Sequence, residues 1–124
     1  MAALPDPALH PREFLEGLLL RVEATDKENY FKWPVDERVA PGYYAVIKHP
    51  ICFSNIRQKL AAGAYTSWRS FLADFELIVQ NARTFNTSKT RCFKCAVVLQ
   101  RNLNKILKPA ELDARKAFSV LFPY

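Results

Sequence analysis

The chain has 124 residues, half of them hydrophobic, and a formal charge of +6. That is enough for one domain with its own core, without metal or disulfide staples. No run of about 18 apolar residues is present, which excludes a membrane-spanning helix, and three cysteines leave one unpaired, which excludes the disulfide framework of a secreted scaffold.

An intracellular protein is therefore expected. Residues 1–11 lack the basic start and apolar stretch of a secretory signal, and with Pro5, Pro7 and Pro11 nearby, residues 1–10 are expected to form a flexible arm. A helix begins at Pro11, since proline suits a first helical turn, and carries Phe14, Leu15, Leu18, Leu19 and Val22 on one face to an end near Thr25-Asp26.

The next stretch, Lys27 to Pro50, is a long connection that is too apolar to be a solvated linker. A loop of that length, rich in aromatic residues, must pack back on the helices or line a cavity. A short helix follows with Phe53, Ile56 and Leu60 on one face, closed by Ala61-Ala62-Gly63; Ser54 is expected to cap it in preference to Cys52.

The central helix carries the stripe Phe71, Phe75, Ile78, Val79, Ala82 and Phe85, with Ser67 as its cap and the polar run Thr87-Ser88-Lys89-Thr90 as its end. A last long helix places Cys92, Ala96, Leu99, Leu103 and Ile106 on one face, and Lys105 and Lys108 suit its C-terminal end. Residues 109–124 hold Leu112, Phe118, Val120, Leu121 and Phe122, which a free tail would not expose, so a short helix folded back on the bundle is expected. With no strand pattern or repeat, the class is all-α: a bundle over residues 11–108 with a C-terminal extension.

Two readings of Asn86 follow from its position at the end of the central stripe. It can be a C-terminal cap in the left-handed conformation, or its amide can anchor a small ligand at the rim of an apolar cavity. Cys92 and Cys95 form a C-x-x-C, but a zinc site needs two more ligands, and Cys52, His10 and His49 are unpaired in sequence. The expectation is no metal and two small side chains on one helical face. Two histidines in an arm and a loop offer no catalytic constellation, so neither an enzyme nor a cofactor is expected. The basic residues read as spread out, with local clusters at Lys89, Arg91 and Lys94 and at Lys105 and Lys108, each by default a solvated face.

The linked motifs Ala40-Pro41-Gly42-Tyr43-Tyr44, Val46-Ile47-Lys48-His49-Pro50, Tyr65-Thr66-Ser67 and Asn81 to Asn86 stand in the order and at the separations of one family. Over Phe14 to Leu107 the chain resembles the bromodomains, in a short-loop form that looks most like those of chromatin-remodelling subunits. The resemblance implies a left-handed four-helix bundle that binds ε-N-acetyl-lysine between the long loop and the loop before the last helix. It implies that Asn86 donates to the acetyl oxygen and that Tyr43 holds that oxygen through a water. Phe31, Val35 and Val39 would form the loop wall, Ala82 and Phe85 the central-helix wall, and Cys92 the gatekeeper at the mouth. Asn29, Tyr30, Lys89 and Arg91 would form the rim, the shelf being Asn29-Tyr30-Phe31, with Trp33 packing outside the pocket.

Two departures from the family pattern stand out. Pro50-Ile51-Cys52 replaces a Pro-Met-Asp, removing the usual capping aspartate, and Cys92 is smaller than the usual gatekeeper, which widens the mouth. The resemblance further implies a nuclear, monomeric domain within a larger protein, reading acetylated histone or other chromatin tails weakly and by avidity. Lys89 and Arg91 are expected to repel basic tails unless Asp36 and Glu37 offset them, or to lie against nucleosomal DNA. A degenerate bromodomain serving as an interaction scaffold, or a basic helical DNA-binding domain, is the alternative.

Overall fold

A computed structural model describes residues 3–124; Met1 and Ala2 of the expected arm lie outside the described residues. The elements, in order, are α1 (Pro11–Thr25), α2 (Tyr43–Val46), α3 (Phe53–Ala61), α4 (Trp68–Phe85), α5 (Arg91–Ile106), a 3-10 turn (Lys108–Ala110) and α6 (Glu111–Leu121). Among the described residues there is no strand, and no helix is long and apolar enough to cross a membrane. The four bundle helices α1, α3, α4 and α5 and the long first connection agree with the expected class. The four-residue α2 inside that connection was not anticipated.

α4 is the centre of the core. Phe71 and Phe75 are fully buried and meet edge to face at 5.0 Å, with Tyr65 on one side of Phe71 at 5.4 Å and Phe118 on another at 5.9 Å. Burying an aromatic side chain of this size contributes about 2–3 kcal/mol, so this row helps to hold α6 on α4. The start of α4 is fixed by the Ser67 hydroxyl, which accepts from the Ser70 N–H at 3.2 Å. Nearby, the Asp74 carboxylate accepts from both the Tyr65 hydroxyl (2.5 Å) and the Lys59 ammonium (2.6 Å), tying the end of α3 to α4.

All five apolar residues of the α1 stripe are buried. In the expected arm, Leu4 is partly buried against the core beside Gly17 of α1, whereas Ala8, Leu9 and His10 are exposed. α6 packs on α1 through Ala114, Ala117 and Phe118, the two alanines permitting close approach. Leu112 and Val120, expected to be covered, face solvent: at helical spacing they lie off the Ala114–Phe118 stripe, and Leu112 is 82% exposed.

The cap of α3 also departs from expectation. Cys52, not Ser54, is the N-cap, and the Asn55 side-chain oxygen accepts from the Cys52 backbone N–H at 3.1 Å. The first N–H groups of the helix find their acceptors in the long loop: Phe53 donates to the Phe31 carbonyl at 2.8 Å and Ser54 to that of Lys32 at 3.1 Å. A backbone partner thus does what the missing aspartate would do, and it fastens the loop to α3 in the same stroke.

Candidate ligand-binding cavity

Between the long loop and the end of α4 lies a cavity of about 500 Å3. Its loop wall is built from the shelf outward. The Asp26 carboxylate, just past α1, accepts from the Tyr30 N–H at 3.0 Å and the Phe31 N–H at 2.8 Å, turning the chain so that Phe31 is buried. Asn29 takes a positive φ of 55° at this bend, a conformation asparagine tolerates better than most residues. Further on, the Tyr44 hydroxyl donates to the Val35 carbonyl at 2.6 Å, pinning the outer loop to α2.

Gly42, at φ 80°, starts α2 and delivers Tyr43 inward. Tyr43 is buried, with Phe85 edge to face at 5.0 Å and Tyr44 at 5.2 Å. Burial raises its phenol above the ordinary range, helped by Tyr44, Cys92 and Cys52 nearby, so it stays a neutral donor. That hydroxyl has no hydrogen-bond partner among the described residues, and it is not sealed away from the cavity. The far end of the loop is held by Asn81, buried on α4, whose amide donates to the His49 carbonyl at 2.8 Å.

Asn86 follows α4 with φ −100° and ψ 145°, so the left-handed cap expected as one reading is not formed. The polar run after it leaves in an extended direction, and the side chain bends back instead. Its amide nitrogen donates to the Ala82 carbonyl at 2.9 Å, alongside its backbone N–H to the same oxygen at 3.1 Å. One amide N–H is therefore held by the helix end, while the second N–H and the side-chain oxygen are left without partners among the described residues. The amide is both a cap and a preset polar group on the cavity wall.

The structure brings Asn86, Tyr43, Phe31, Val35, Val39 and Ala82 to this one cavity, together with Phe85, Cys92, Asn29 and Tyr30. Val39 reaches it from the surface, being 84% exposed. Lys89 and Arg91 do not line it; the Arg91 guanidinium turns away to the Glu28 carboxylate, and Asp36 is occupied by Arg38 at 2.8 Å. Of the charges expected to oppose or balance one another at the rim, Arg91 and Asp36 are thus paired locally. Trp33 is a correction in the other direction: it lines the mouth, 62% exposed, because the bend through residues 30–33 carries it back over the opening.

Cys52 and Ile78 also line the cavity. Neither is among the residues that the resemblance implies for the pocket, and Asp26, Tyr44 and Asn81 act on the wall from behind it. The thiols of Cys92 and Cys95 are both raised, chiefly by burial. They sit half-buried on α5 against the core, and among the described residues no group of three His, Cys, Asp or Glu side chains is arranged to hold a metal ion.

Comparison with known proteins gives one consistent outcome. Residues 15–98 match the family model described as Bromodomain. Bromodomain-containing protein 9 of Xenopus laevis is 35% identical over 101 residues, covering 82% of this chain and 19% of that protein. The Danio rerio protein of the same name is 38% identical over 85 residues, covering 68% of this chain and 14% of that protein. Bromodomain-containing protein 7 of Gallus gallus is 31% identical over 105 residues, covering 85% and 16% respectively. The chain spans less than a fifth of the length of these curated relatives.

Proposed function

The chain belongs to the bromodomain family, whose members are acetyl-lysine reader modules, and from that premise we propose that it reads acetylated lysine on histone or other chromatin-protein tails through the cavity at Asn86. The observation that carries this reading is the divided amide of Asn86. One N–H is committed to the Ala82 carbonyl, which fixes the side chain, and the other is free to donate to an acetyl oxygen beside the unpartnered Tyr43 hydroxyl.

Acetylation turns an ammonium into a neutral amide. Phe31, Val35, Ala82 and Phe85 offer such a group an apolar slot, whereas a charged lysine entering it would lose its hydration without a counter-charge. Discrimination comes mainly from this exclusion. The attraction is modest: about eight heavy atoms at roughly 0.5 kcal/mol each give about 4 kcal/mol, a near-millimolar site. Useful affinity then comes from linked contacts, as expected of one monomeric domain within a longer nuclear protein. Contact with nucleosomal DNA is one such link.

The test is an NMR titration with acetylated and unacetylated histone-tail peptides, on the wild type and on Asn86→Ala. Shifts at the cavity that require acetylation and disappear in a folded variant support the reading. Absence of acetyl-dependent shifts across a broad peptide set would overturn it in favour of an interaction scaffold.

A further inference from the structure

Residues 89–108 hold six basic side chains and no acidic one, so the formal +6 of the chain resides in this stretch; the other twelve basic residues are matched by the twelve acidic ones. Read along the sequence the basic residues looked spread out. The fold gathers them, because this stretch is α5 with its two flanks.

Lys94, Arg101, Lys105 and Lys108 are exposed and recur at intervals of seven, four and three, a single outward stripe opposite the buried Ala96, Leu99 and Leu103. Neighbouring elements offer little to neutralise it. Glu28 pairs with Arg91 and Asp26, in the same groove as Lys94, is engaged by the Tyr30 and Phe31 N–H groups, while Glu76 toward α4 is accompanied by Arg83, and Asp6 and Asp113 toward the α1 side by Arg21 and Lys27. None of the four stripe residues makes an ion pair among the described residues.

We propose that the outward face of α5 is a docking surface for the phosphate backbone of duplex DNA. A 16-residue helix is about 24 Å long, and duplex DNA presents a charge about every 1.7 Å of its axis, so a straight row of cations can neutralise several phosphates at once. Duplex is favoured over single strands because the stripe carries no exposed aromatic ring on which bases could stack; Phe93 is half-buried beneath Arg83. None of the four cations lines the cavity at Asn86, so this surface stands independently of the acetyl-lysine reading.

The experiment is fluorescence anisotropy with two unrelated duplexes of about two helical turns, over a range of salt. Four phosphate contacts give a slope of log K against log salt near −3.6, roughly a 150-fold loss between 50 and 200 mM. Arg101→Gln/Lys105→Gln/Lys108→Gln should flatten the slope to about −0.9 and weaken low-salt binding by at least about tenfold, with an unchanged circular dichroism spectrum. Arg12→Gln/Arg69→Gln/Lys116→Gln, which removes the same charge elsewhere, should leave binding close to wild type. Asn86→Ala should bind DNA normally, which separates failure of this proposal from failure of the acetyl-lysine reading. A shallow wild-type slope, equal losses in both triple variants, or displacement of the duplex by polyglutamate at matched charge would overturn it, the last in favour of an acidic protein partner.

Discussion

The side-chain amide of Asn81 donates to the backbone carbonyl of His49 at 2.8 Å, joining the C-terminal part of α4 to the end of the long loop. Asn81 is the one polar residue among the buried ones described, 8% exposed, while His49 itself lies at the surface. Asn81→Ala should therefore cost about 1–3 kcal/mol, toward the lower end if water reaches the freed carbonyl. Its signature is local: in hydrogen exchange, the amides of residues 43–51 should lose protection before those of α1 and α4. Uniform loss across the bundle would show that the bond supports the core and not the loop.

The chain should lose stability in alkali, through a tyrosine. Burial, and then the Asp74 carboxylate to which it donates, raise the Tyr65 phenol well above its ordinary value. The folded protein thus keeps a proton that the unfolded chain releases near pH 10, so stability falls as pH rises above about 10, by up to about 1.4 kcal/mol per pH unit for this group. Below that pH both states are protonated and the contribution is complete. Urea unfolding between neutral and strongly alkaline pH should give this slope in the wild type and a shallower one in Tyr65→Phe, with Tyr43, Cys92 and Cys95 supplying the remainder.

Gly17 stands inside α1, where alanine is ordinarily better by about 1 kcal/mol. A Cβ there would come within 2.6 Å of the Leu4 Cδ2, so the side chain of Leu4 must give way. Gly17→Ala should be close to neutral in the wild type, yet stabilising by about 1 kcal/mol in a Leu4→Ala background. A double-mutant cycle by thermal unfolding measures the difference. Additive effects would mean that Leu4 does not hold the N-terminal segment to α1.

Cys92 is held mostly as the thiol, because burial, and then the neighbouring Cys95, disfavour its ionisation. At neutral pH iodoacetamide should therefore modify it more slowly than free cysteine, despite its place on the cavity wall. Cys92→Val adds about one methyl group at the mouth and should tighten acetyl-peptide binding by about fourfold if that methyl becomes buried against the ligand. Isothermal titration of both proteins with the same peptide decides it; equal affinities would place Cys92 outside the contact surface.

Periodicity sufficed for the helices longer than α2 because their buried faces are continuous: every apolar residue of the α1 stripe is inside, and Ser67 caps α4 as its side chain suggests. The cavity lining was legible through the linked motifs, which carried Asn86, Tyr43 and Phe31 to one place. The groups that hold those residues were not legible. Asp26, Asn81 and the carbonyls of Phe31 and Lys32 act across distances in sequence that no local pattern encodes. Cys52 illustrates the same limit, since a poor side-chain cap suffices where a loop backbone supplies the acceptors. Leu112 and Val120 differ from expectation for a simpler reason: their side chains fall on the side of α6 turned away from the bundle.

The contact of Phe118 with Phe71 has an architectural consequence. Phe71 lies in the first turn of α4 and Asn86 just beyond its last, about 20 Å away along the axis. Asp6, at the other flank, lies within electrostatic reach of Lys116 on α6. Polypeptide joined before α1 or after α6 is therefore delivered to the base of the bundle. A neighbouring module on a short tether would hang like a stem beneath a cup, leaving the opening unobstructed.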